Sequence, residues 1–285
     1  MDRLNKILPY ILENKCAFFV GAGLSKVAGC YDWDSVVQKM LDHPLIRGKG
    51  INRDELVGAA LNEELIDYCQ QLFLEGNEEH QFWGIARKAI TFNPELFNTN
   101  YLPLIKIIKQ ISPSPPIILT TNIDSCLEHT NEYDLSEVYF KTDDFTEHKF
   151  NGSGIFHIHG YIEEFEKSLL TRKKYISRYQ ESGFKTFLKE FFTKYSVLFL
   201  GYSLRDQEIK DVILETKDEQ KMHFLLVPEE DGLTSSKISL YYDMYRIVTI
   251  VYGRRDSFPS IFGEWVNRNF KGTSLKALEV DKSNA

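Results

Sequence analysis

Four short clusters of polar residues and glycines follow apolar runs in this 285-residue sequence. They contain residue types suited to binding and cleaving a polar ligand, namely glycines that bring the backbone close, an amide, a carboxylate and an imidazole. Whether they act together depends on the elements that position them. In chain order the clusters are residues 21–25 (GAGLS), 120–124 (TTNID), 159–160 (HG) and 201–206 (GYSLRD).

The first cluster stands where a strand would turn into a helix. Gly21 and Gly23 allow a tight turn and a close approach to a ligand, and backbone N–H groups at such turns bind phosphate. A plain tight turn is the alternative. The cluster lacks the dinucleotide-binding pattern G-x-G-x-x-G, because Lys26 stands at the sixth position, and it lacks the Gly-Lys-Ser/Thr of a P-loop.

The second cluster offers an amide and a carboxylate. The Asn122 side chain donates and accepts hydrogen bonds at once, as holding a ribose hydroxyl or a water requires. Asp124 can orient that amide or, more simply, cap a following helix. Thr120 and Thr121 can serve merely to end the strand.

Two histidines and a serine complete the candidates. His157 and His159 share a face of one predicted strand. A metal pair is disfavoured because no further ligands stand at a recognisable spacing, and we interpret His157 as a buried structural histidine. His159 stands at the strand end, where an imidazole can act as acid or base. Ser203 follows Gly201 and can hold a ribose or phosphate, or share with Asp206 the capping of the next helix.

Short apolar runs recur along the chain and predict strands. Amphipathic helical stretches lie between several of them, which is typical of a Rossmann-like α/β fold, a parallel sheet covered by helices on both faces. Ligands bind such sheets beyond the carboxyl ends of the strands, so the four clusters should gather along one edge. The predicted strands are residues 16–20, 117–120, 137–140, 155–159, 197–201, 223–227 and 246–251.

Helical patterns fill much of the rest. A helix is predicted over residues 32–41, with Asp32 near its start. Residues 44–111 have the pattern of amphipathic helices and predict a helical insertion within a single domain of residues 1–285. The polar tail, residues 271–285, is predicted to be frayed. Further helices are predicted over residues 183–194, 206–216 and 257–269.

Composition narrows the function classes. The formal net charge of −7 argues against a surface built mainly to bind nucleic acid. No run approaches ~20 apolar residues and the N-terminus lacks a signal peptide, so we expect a cytoplasmic protein that does not enter a membrane. The four cysteines stand apart in the sequence, which predicts reduced, mostly buried thiols and no bound metal.

Taken together, in this order and each after a predicted strand, the four clusters resemble the sirtuin family. Two departures separate the chain from the protein deacylases of that family, which carry two zinc-binding cysteine pairs and a Gln where this chain has Thr121. In both respects the chain resembles the sirtuin-like effectors of bacterial anti-phage defence, which share Thr-Thr-Asn-x-Asp and a helical insertion. Those effectors hydrolyse NAD, so the resemblance implies an NAD+ hydrolase whose substrate is NAD.

The resemblance also implies roles for individual residues. Asn122 would hold the nicotinamide ribose and the attacking water, Asp124 would support Asn122, and His159 would act as base. Trp33 and Asp34 lie in the stretch that replaces the cofactor loop of the deacylases, and they are candidates for contact with nicotinamide. Gly21, Ala22, Gly23 and Ser25 would line the pyrophosphate, and Ser203 would face the adenosine. The other implied cofactor-binding residues are Asp34, Thr121 and Gly201.

Two other functions stay open. One is a protein deacylase or ADP-ribosyltransferase with its acceptor on another chain, and the other is a non-catalytic sensor of NAD or ADP-ribose. A free NAD hydrolase would deplete its own host, so we expect control by homo-oligomerisation or by a separate activating protein, such as a translocase ATPase or an Argonaute-like protein. Direct binding of nucleic acid is not expected.

Overall fold

The computed structural model describes residues 2–49, 56, 60–110, 117–130, 138–141, 144–145, 154–254 and 257–270. Within them, seven strands form one parallel sheet, which confirms the predicted α/β class. The predicted frayed tail and parts of the predicted insertion lie outside the described residues. The strands are β1 (Cys16–Val20), β2 (Ile117–Thr120), β3 (Val138–Tyr139), β4 (Gly154–His157), β5 (Ser196–Leu200), β6 (His223–Pro228) and β7 (Ile247–Tyr252).

The order of the strands gathers the four clusters. The sheet runs β3-β4-β2-β1-β5-β6-β7, so β1 lies between β2 on one side and β5 on the other. The chain leaves β1 towards β2 on one side and leaves β5 towards β6 on the other, and such a reversal between neighbouring strands is where parallel sheets bind ligands. The clusters follow β1, β2, β4 and β5, which are neighbours in this order. The structure therefore brings all four to one edge, as the sequence predicts.

Each strand is buried on both faces. Along β1, Phe18 and Val20 contribute to one hydrophobic cluster, whereas Ala17 and Phe19 contribute to the opposite one. This follows from the two-residue repeat of a strand, which turns successive side chains to opposite sides. Burial on both sides explains why the strands appear in the sequence as continuous apolar runs rather than alternating ones.

Helices cover both faces of the sheet. The first face packs against the helices Leu8–Leu12, Leu102–Gln110 and Phe258–Phe270, and the opposite face against the helices Ser182–Lys194, Gln207–Glu215 and Ser235–Tyr245. Short 3₁₀ helices cover Asp2–Ile7 and Lys26–Ala28, and a π-helical turn covers Phe97–Tyr101. The helices are α1 (Leu8–Leu12), α2 (Ala22–Ser25), α3 (Trp33–Leu41), α4 (Pro44–Arg47), α5 (Asn62–Glu75), α6 (Glu79–Ala89), α7 (Pro94–Leu96), α8 (Leu102–Gln110), α9 (Arg172–Gln180), α10 (Ser182–Lys194), α11 (Gln207–Glu215), α12 (Ser235–Tyr245) and α13 (Phe258–Phe270).

The helical segment predicted as an insertion divides into two parts. Helices α4, α5 and α6 pack with α3 around a core of their own, centred on Phe73 and Phe82. Helix α8 instead packs on the sheet, because Leu104, Ile105 and Ile108 belong to the same cluster as Phe18. The first part stands beside the carboxyl edge of the sheet, and the second is one of the sheet's covering helices.

Strand β4 ends earlier than predicted. The sequence predicts a strand to residue 159, but β4 ends at His157, which pairs with Thr120. Thr120 is also the last residue of β2, so β4 has no neighbour with which to continue its ladder. The chain turns at once, with Gly160 in the left-handed conformation at φ +102°. His157 and His159 therefore do not share a strand face, and that prediction is wrong.

Candidate active site

The glycine turns after β1 and β5 pack directly on each other. A Cβ atom added at Gly21 would lie 2.6 Å from the carbonyl oxygen of Gly201, and one added at Gly23 would lie 2.8 Å from the same atom. Gly201 has φ +62°, and a Cβ there would lie 2.2 Å from the backbone nitrogen of Leu24. All three glycines are thus required by the contact between the two turns.

Hydrogen bonds within the protein already use several N–H groups of the first turn. Gly21 donates to the carbonyl of Leu200, Gly23 donates to that of Gly201, and Leu24 donates to that of Gly21. The glycines predicted to line a pyrophosphate therefore serve first to join the two turns. Ala22 stands apart, because it lines the pocket described below.

Ser25 connects the first turn to the amide of the second cluster. Its side chain is buried, and its Oγ accepts a hydrogen bond of 2.8 Å from Nδ2 of Asn122. Ser25 also bonds to the Asp124 carboxylate, which can only accept, so the serine proton points to Asp124. Oγ must then accept from Asn122, and this fixes the amide with its NH₂ towards Ser25.

The amide oxygen of Asn122 is left without a partner. Oδ1 is buried and makes no hydrogen bond with the residues that the structure describes. The backbone of the same residue is well held, since its N–H donates to Oγ1 of Thr120 at 3.0 Å and its carbonyl lies 2.7 Å from Nδ1 of His157. A fixed residue with one unsatisfied acceptor is suited to receive a donor from a ligand or a water.

Asp124 stabilises the turn that carries Asn122. Its Oδ1 accepts from the backbone N–H of Cys126 at 3.0 Å, while no helix of the described residues begins directly after it. Burial raises the pKa of the Asp124 carboxyl, although hydrogen bonds from Cys126 and Ser25 oppose that rise. The simpler prediction, a helix cap, is therefore wrong, and the carboxylate instead lies beside the amide.

A pocket open to solvent lies beside Asn122, and its empty space, with the open mouth included, is about 400 Å³. Most of its wall is apolar or aromatic, and its polar groups come from the second cluster. The helical part of the chain closes it on the side away from the sheet, through Ala86 of α6 and through α3. The lining residues are Ala22, Tyr31, Trp33, Val36, Ala86, Ile90, Thr121, Asn122, Ile123, Asp124 and Leu170.

The two candidates from the stretch before α3 separate in the structure. Trp33 lines the pocket, whereas Asp34 is exposed and is not among the lining residues. Asp34 forms an ion pair with Arg205 at 3.0 Å and accepts from Nδ2 of Asn62 at 2.8 Å. It links α3 to α5 and to the turn after β5. Asp32 caps α3 by accepting from the N–H of the helix's third residue at 2.9 Å.

His159 lies in an aromatic environment. Its Nε2 is 2.9 Å from the hydroxyl of Tyr179, and its ring meets that of Tyr175 edge to face, with centroids 5.1 Å apart. Burial, together with the nearby Arg178 guanidinium, lowers the pKa of His159 to about 3, so the imidazole is neutral at physiological pH. Its contact with α9 explains why it does not line the pocket next to Asn122.

His157 and Glu128 form a buried pair behind Asn122. Nε2 of His157 lies 2.6 Å from Oε1 of Glu128, and both side chains are almost fully buried. Burial alone would lower the pKa of His157, but the Glu128 carboxylate outweighs it and the pKa is raised. His157 is thus buried, as we predict, and it also contacts the candidate catalytic residue.

The last cluster is only partly as predicted. Ser203 is exposed, and Asp206 stands at the N-cap position of α11 without a side-chain capping bond. The capping alternative is therefore correct in placing Asp206 at the N-cap, but it is wrong for Ser203 and for a capping bond from the Asp206 side chain. Burial raises the pKa of Asp206 to about 8.

Two cysteines that are distant in sequence meet beneath the site. The Sγ atoms of Cys30 and Cys126 lie 3.7 Å apart, and with Asp124 they bring three possible metal ligands within 4.8 Å of one another. All the cysteines are free thiols, as predicted. The hydrogen bond with Cys30 and burial both raise the pKa of Cys126, which favours the protonated thiol. The spacing argument against a metal site therefore fails at this pair, since the fold joins what the sequence separates.

Sequence reasoning missed three contributors to this site. Glu128 and Tyr179 are single polar residues in helical stretches, and nothing in their spacing ties them to the histidines. Tyr31 stands in a stretch that carries no periodic pattern. The pairing of Glu128 could have been suspected from His157, because a histidine inside an apolar strand needs a buried partner.

Comparison with known proteins identifies part of the chain. Residues 116–250 match the model of the SIR2-like domain. The match includes the Asn122 cluster, His159 and the turn at Gly201, whereas the turn at residues 21–25 precedes it. No curated protein matches the chain.

Proposed function

Because the chain belongs to the sirtuin-like family through its SIR2-like domain, which indicates an NAD-using enzyme, we propose that it is an NAD+ hydrolase releasing nicotinamide and ADP-ribose. In this reaction the bond between nicotinamide and ribose breaks, and its electron pair moves to the nicotinamide nitrogen. Water adds to the ribose carbon and loses one proton. The atoms balance as NAD+ plus water giving nicotinamide, ADP-ribose and a proton.

The observation that carries the proposal is the free Oδ1 of Asn122. Ser25 fixes the orientation of the amide, and Oδ1 is the acceptor left over in a residue that lines the pocket. An unsatisfied buried acceptor costs about 1–3 kcal/mol, which a bound ribose hydroxyl or water would recover. The same carbonyl dipole would stabilise the positive charge that develops on the ribose when nicotinamide leaves.

The shape and chemistry of the pocket suit nicotinamide. The aromatic ring of nicotinamide would pack against Trp33, Tyr31 and Ile123, while its amide group would lie near the polar atoms of Asn122 and Asp124. Among the described residues, no basic side chain lines the pocket, so the phosphates of NAD would lie outside it, towards the joined turns of β1 and β5. Nicotinamide leaves as a neutral ring, which an apolar wall favours over its cationic bound form.

His159 would act as the base of this reaction. It is neutral in the free protein, but a pKa lowered to about 3 makes it a weak base there, so this role requires that bound substrate raise the pKa of His159. Its Nε2 contacts Tyr179, so proton transfer to or from substrate would pass by this hydroxyl or require it to move.

Hydrolysis is distinguished from the two alternatives by supplying NAD+ alone in ¹⁸O-labelled water. We expect nicotinamide release and one ¹⁸O atom in each ADP-ribose. Cleavage that requires an added acylated or acceptor protein would identify a deacylase or transferase. Binding of NAD or ADP-ribose without cleavage at any protein concentration would identify a sensor.

We propose that the reaction needs no metal, although Cys30, Cys126 and Asp124 lie close together. Asp124 already accepts two hydrogen bonds, Cys30 bonds to a backbone carbonyl, and both thiols would have to ionise in an apolar setting. Metal analysis of the purified protein should find no stoichiometric metal, and a chelator should leave turnover unchanged. One zinc per chain would contradict this.

The biological role is proposed from resemblance. The Thr-Thr-Asn-x-Asp cluster supports a role as a gated effector of anti-phage defence that depletes NAD. Gating would come from homo-oligomerisation or from a separate activator, such as a translocase ATPase or an Argonaute-like protein. Sizing of the chain with parallel activity measurement tests this, and a stable monomer with full activity would contradict it.

No helix of the described residues is long and apolar enough to cross a membrane.

A further inference from the structure

A buried histidine and a buried glutamate outside the pocket hold the peptide group of Asn122. The His157 side chain is fully buried, with Nδ1 2.7 Å from the Asn122 carbonyl oxygen and Nε2 2.6 Å from Oε1 of Glu128. Glu128 lies in the 3₁₀ helix Glu128–Thr130, shortly after the Asn122 turn. The pair therefore links the end of β4 to both ends of that turn.

The contacts restrict where the protons lie. A peptide carbonyl only accepts hydrogen bonds, so Nδ1 of His157 must carry a proton. A second proton lies between Nε2 and Oε1 of Glu128, because two facing lone pairs at 2.6 Å would repel each other. On Nε2 it makes an imidazolium with a carboxylate, and on Oε1 it makes a neutral imidazole with a carboxylic acid; the raised pKa of His157 favours the first arrangement.

We propose that His157 and Glu128 are a positioning pair that holds Asn122 in the geometry needed for cleavage of the nicotinamide bond. The inference rests on the proposed NAD+ hydrolase function. Three groups then fix Asn122: Thr120 accepts from its N–H, His157 donates to its carbonyl, and Ser25 accepts from its side-chain NH₂. The remaining acceptor, Oδ1, is thereby aimed at the ligand.

A second buried histidine shows that the fold does not require a charge at such a position. His223 also lies on a buried strand, but its Nδ1 accepts from the N–H of Val197 at 3.1 Å. Burial lowers the pKa of His223 to about 3, so it is neutral. A buried ion pair is expensive compared with apolar packing, so the charged pair at His157 is better explained by what it holds than by core stability.

The groups around His157 come from the segments after β2 and β4. Glu128 and Asp124 lie on the segment after β2, and both favour the imidazolium. Tyr161, after β4, packs on the imidazole with ring centroids 4.7 Å apart. As pH rises through the raised pKa of His157, the imidazolium loses its proton, which leaves a neutral imidazole facing the buried Glu128 carboxylate and breaks the ion pair. We therefore expect turnover to fall as the pH becomes alkaline, whereas substrate binding should not fall with it.

The first test needs no substitution. In ¹⁵N NMR spectra of the wild-type chain at neutral pH, His157 should show two protonated ring nitrogens, whereas His159 and His223 should show the neutral form. A neutral His157 would overturn the proposal. This result does not depend on NAD cleavage, so it separates failure of the pair from failure of the proposed function.

The second test uses Glu128→Gln, which keeps the shape but removes the charge, with Glu128→Asp as the conservative variant. We expect Glu128→Gln to lower kcat for nicotinamide release at least tenfold, with KM changed less, because a small misplacement of a catalytic group has large effects on rate. The fall of kcat at alkaline pH should occur at lower pH in Glu128→Gln than in wild type, and Glu128→Asp should restore part of kcat. Unchanged kcat and pH profile in a folded Glu128→Gln variant would refute the pair's role, as would an equal loss in His223→Gln.

Discussion

At the scale of single residues, the site depends on which hydrogen bonds are already made. The side-chain NH₂ of Asn122 donates to Ser25 and its backbone N–H donates to Thr120. Its backbone carbonyl contacts His157, which leaves the side-chain oxygen Oδ1 as the acceptor that faces the pocket. Asp124 is similarly committed, through Ser25 and the N–H of Cys126. The chemistry proposed for the pocket therefore uses one oriented amide rather than a set of mobile polar groups.

Trp33 and Asp34 are neighbours in sequence with different expected effects on nicotinamide. Trp33→Ala removes an aromatic wall of the pocket and should raise the inhibition constant of nicotinamide about tenfold, equal to about 1.4 kcal/mol. Asp34→Ala should leave that constant nearly unchanged, since Asp34 pairs with Arg205 outside the pocket. Product-inhibition kinetics of both variants measure this. A larger effect of Asp34→Ala would show that the pocket is not the nicotinamide site.

Residue types alone predicted part of this arrangement. Asn122 and Asp124 were recognisable because an amide and a carboxylate directly after a buried strand must lie at the ligand edge. Ser25 was predicted beside a phosphate, yet its hydroxyl is committed to Asn122 and Asp124. Its role depends on contacts across 97 positions of sequence, and no local pattern records such a contact.

At the scale of elements, the site depends on two turns that fit together only without side chains. The turn after β1 donates hydrogen bonds to the end of β5, and Gly201 places its backbone against Gly23 and Leu24. Displacing either turn would move Ser25, and with it the amide of Asn122. The glycine pattern is therefore a packing requirement that also positions the site.

Gly201→Ala tests this contact. The variant combines a left-handed φ of +62° with a Cβ only 2.2 Å from the nitrogen of Leu24. It should lose at least about 2 kcal/mol of unfolding free energy. Gly84→Ala is the matched control, because nothing lies within 4 Å of a Cβ there and the residue is inside helix α6, so it should gain up to about 1 kcal/mol. Denaturant unfolding of both variants measures the difference, and equal stabilities would contradict the packing account.

The strands were the most predictable elements, because continuous apolar runs buried on both faces are distinctive. β1 and β2 have the predicted bounds, whereas β4 ends two residues early because its neighbour β2 ends at Thr120. Helix α9 was not predicted, since its nine residues are mostly polar and carry little periodicity. It nevertheless supplies Tyr179 to His159.

At the scale of the whole molecule, the pocket lies between the sheet edge and the separate helical core of α3 to α6. Ile123 and Leu170 belong to that helical core and also line the pocket. A shift of the helical part relative to the sheet would therefore change the pocket directly. An activating contact on these helices would have a short physical route to Asn122.

Buried neutral histidines make the whole fold sensitive to acid. His159 and His223 have pKa values lowered to about 3, so between about pH 6.5 and 3 the unfolded chain binds protons that the folded chain does not. Each of these histidines should therefore lower the unfolding free energy by about 1 kcal/mol per pH unit on acidification from pH 6.5. Asp206, whose pKa is raised to about 8, takes up its proton in the folded state and opposes this fall by a similar amount. His157 is protonated in both states in this range and does not add to the slope.

Denaturant unfolding at pH 6.5 and 5 measures this acid sensitivity. His223→Gln should reduce the slope, whereas His80→Gln, at an exposed position, should leave it unchanged. An equal change of stability in wild type and His223→Gln over this interval would show that His223 is not buried in the neutral form.

The central claim is that the protein cleaves NAD rather than merely binding it, and that cleavage depends on Asn122. The most direct measurement is nicotinamide release by wild type and Asn122→Ala over a wide range of protein concentration, paired with calorimetric NAD binding, with the exposed Asn98→Ala as control. We predict a rate loss of at least about 100-fold in Asn122→Ala, because a preorganised polar group typically contributes that much. NAD affinity should change less than about tenfold, and Asn98→Ala should match wild type. Equal nicotinamide release by wild type and Asn122→Ala would contradict the account.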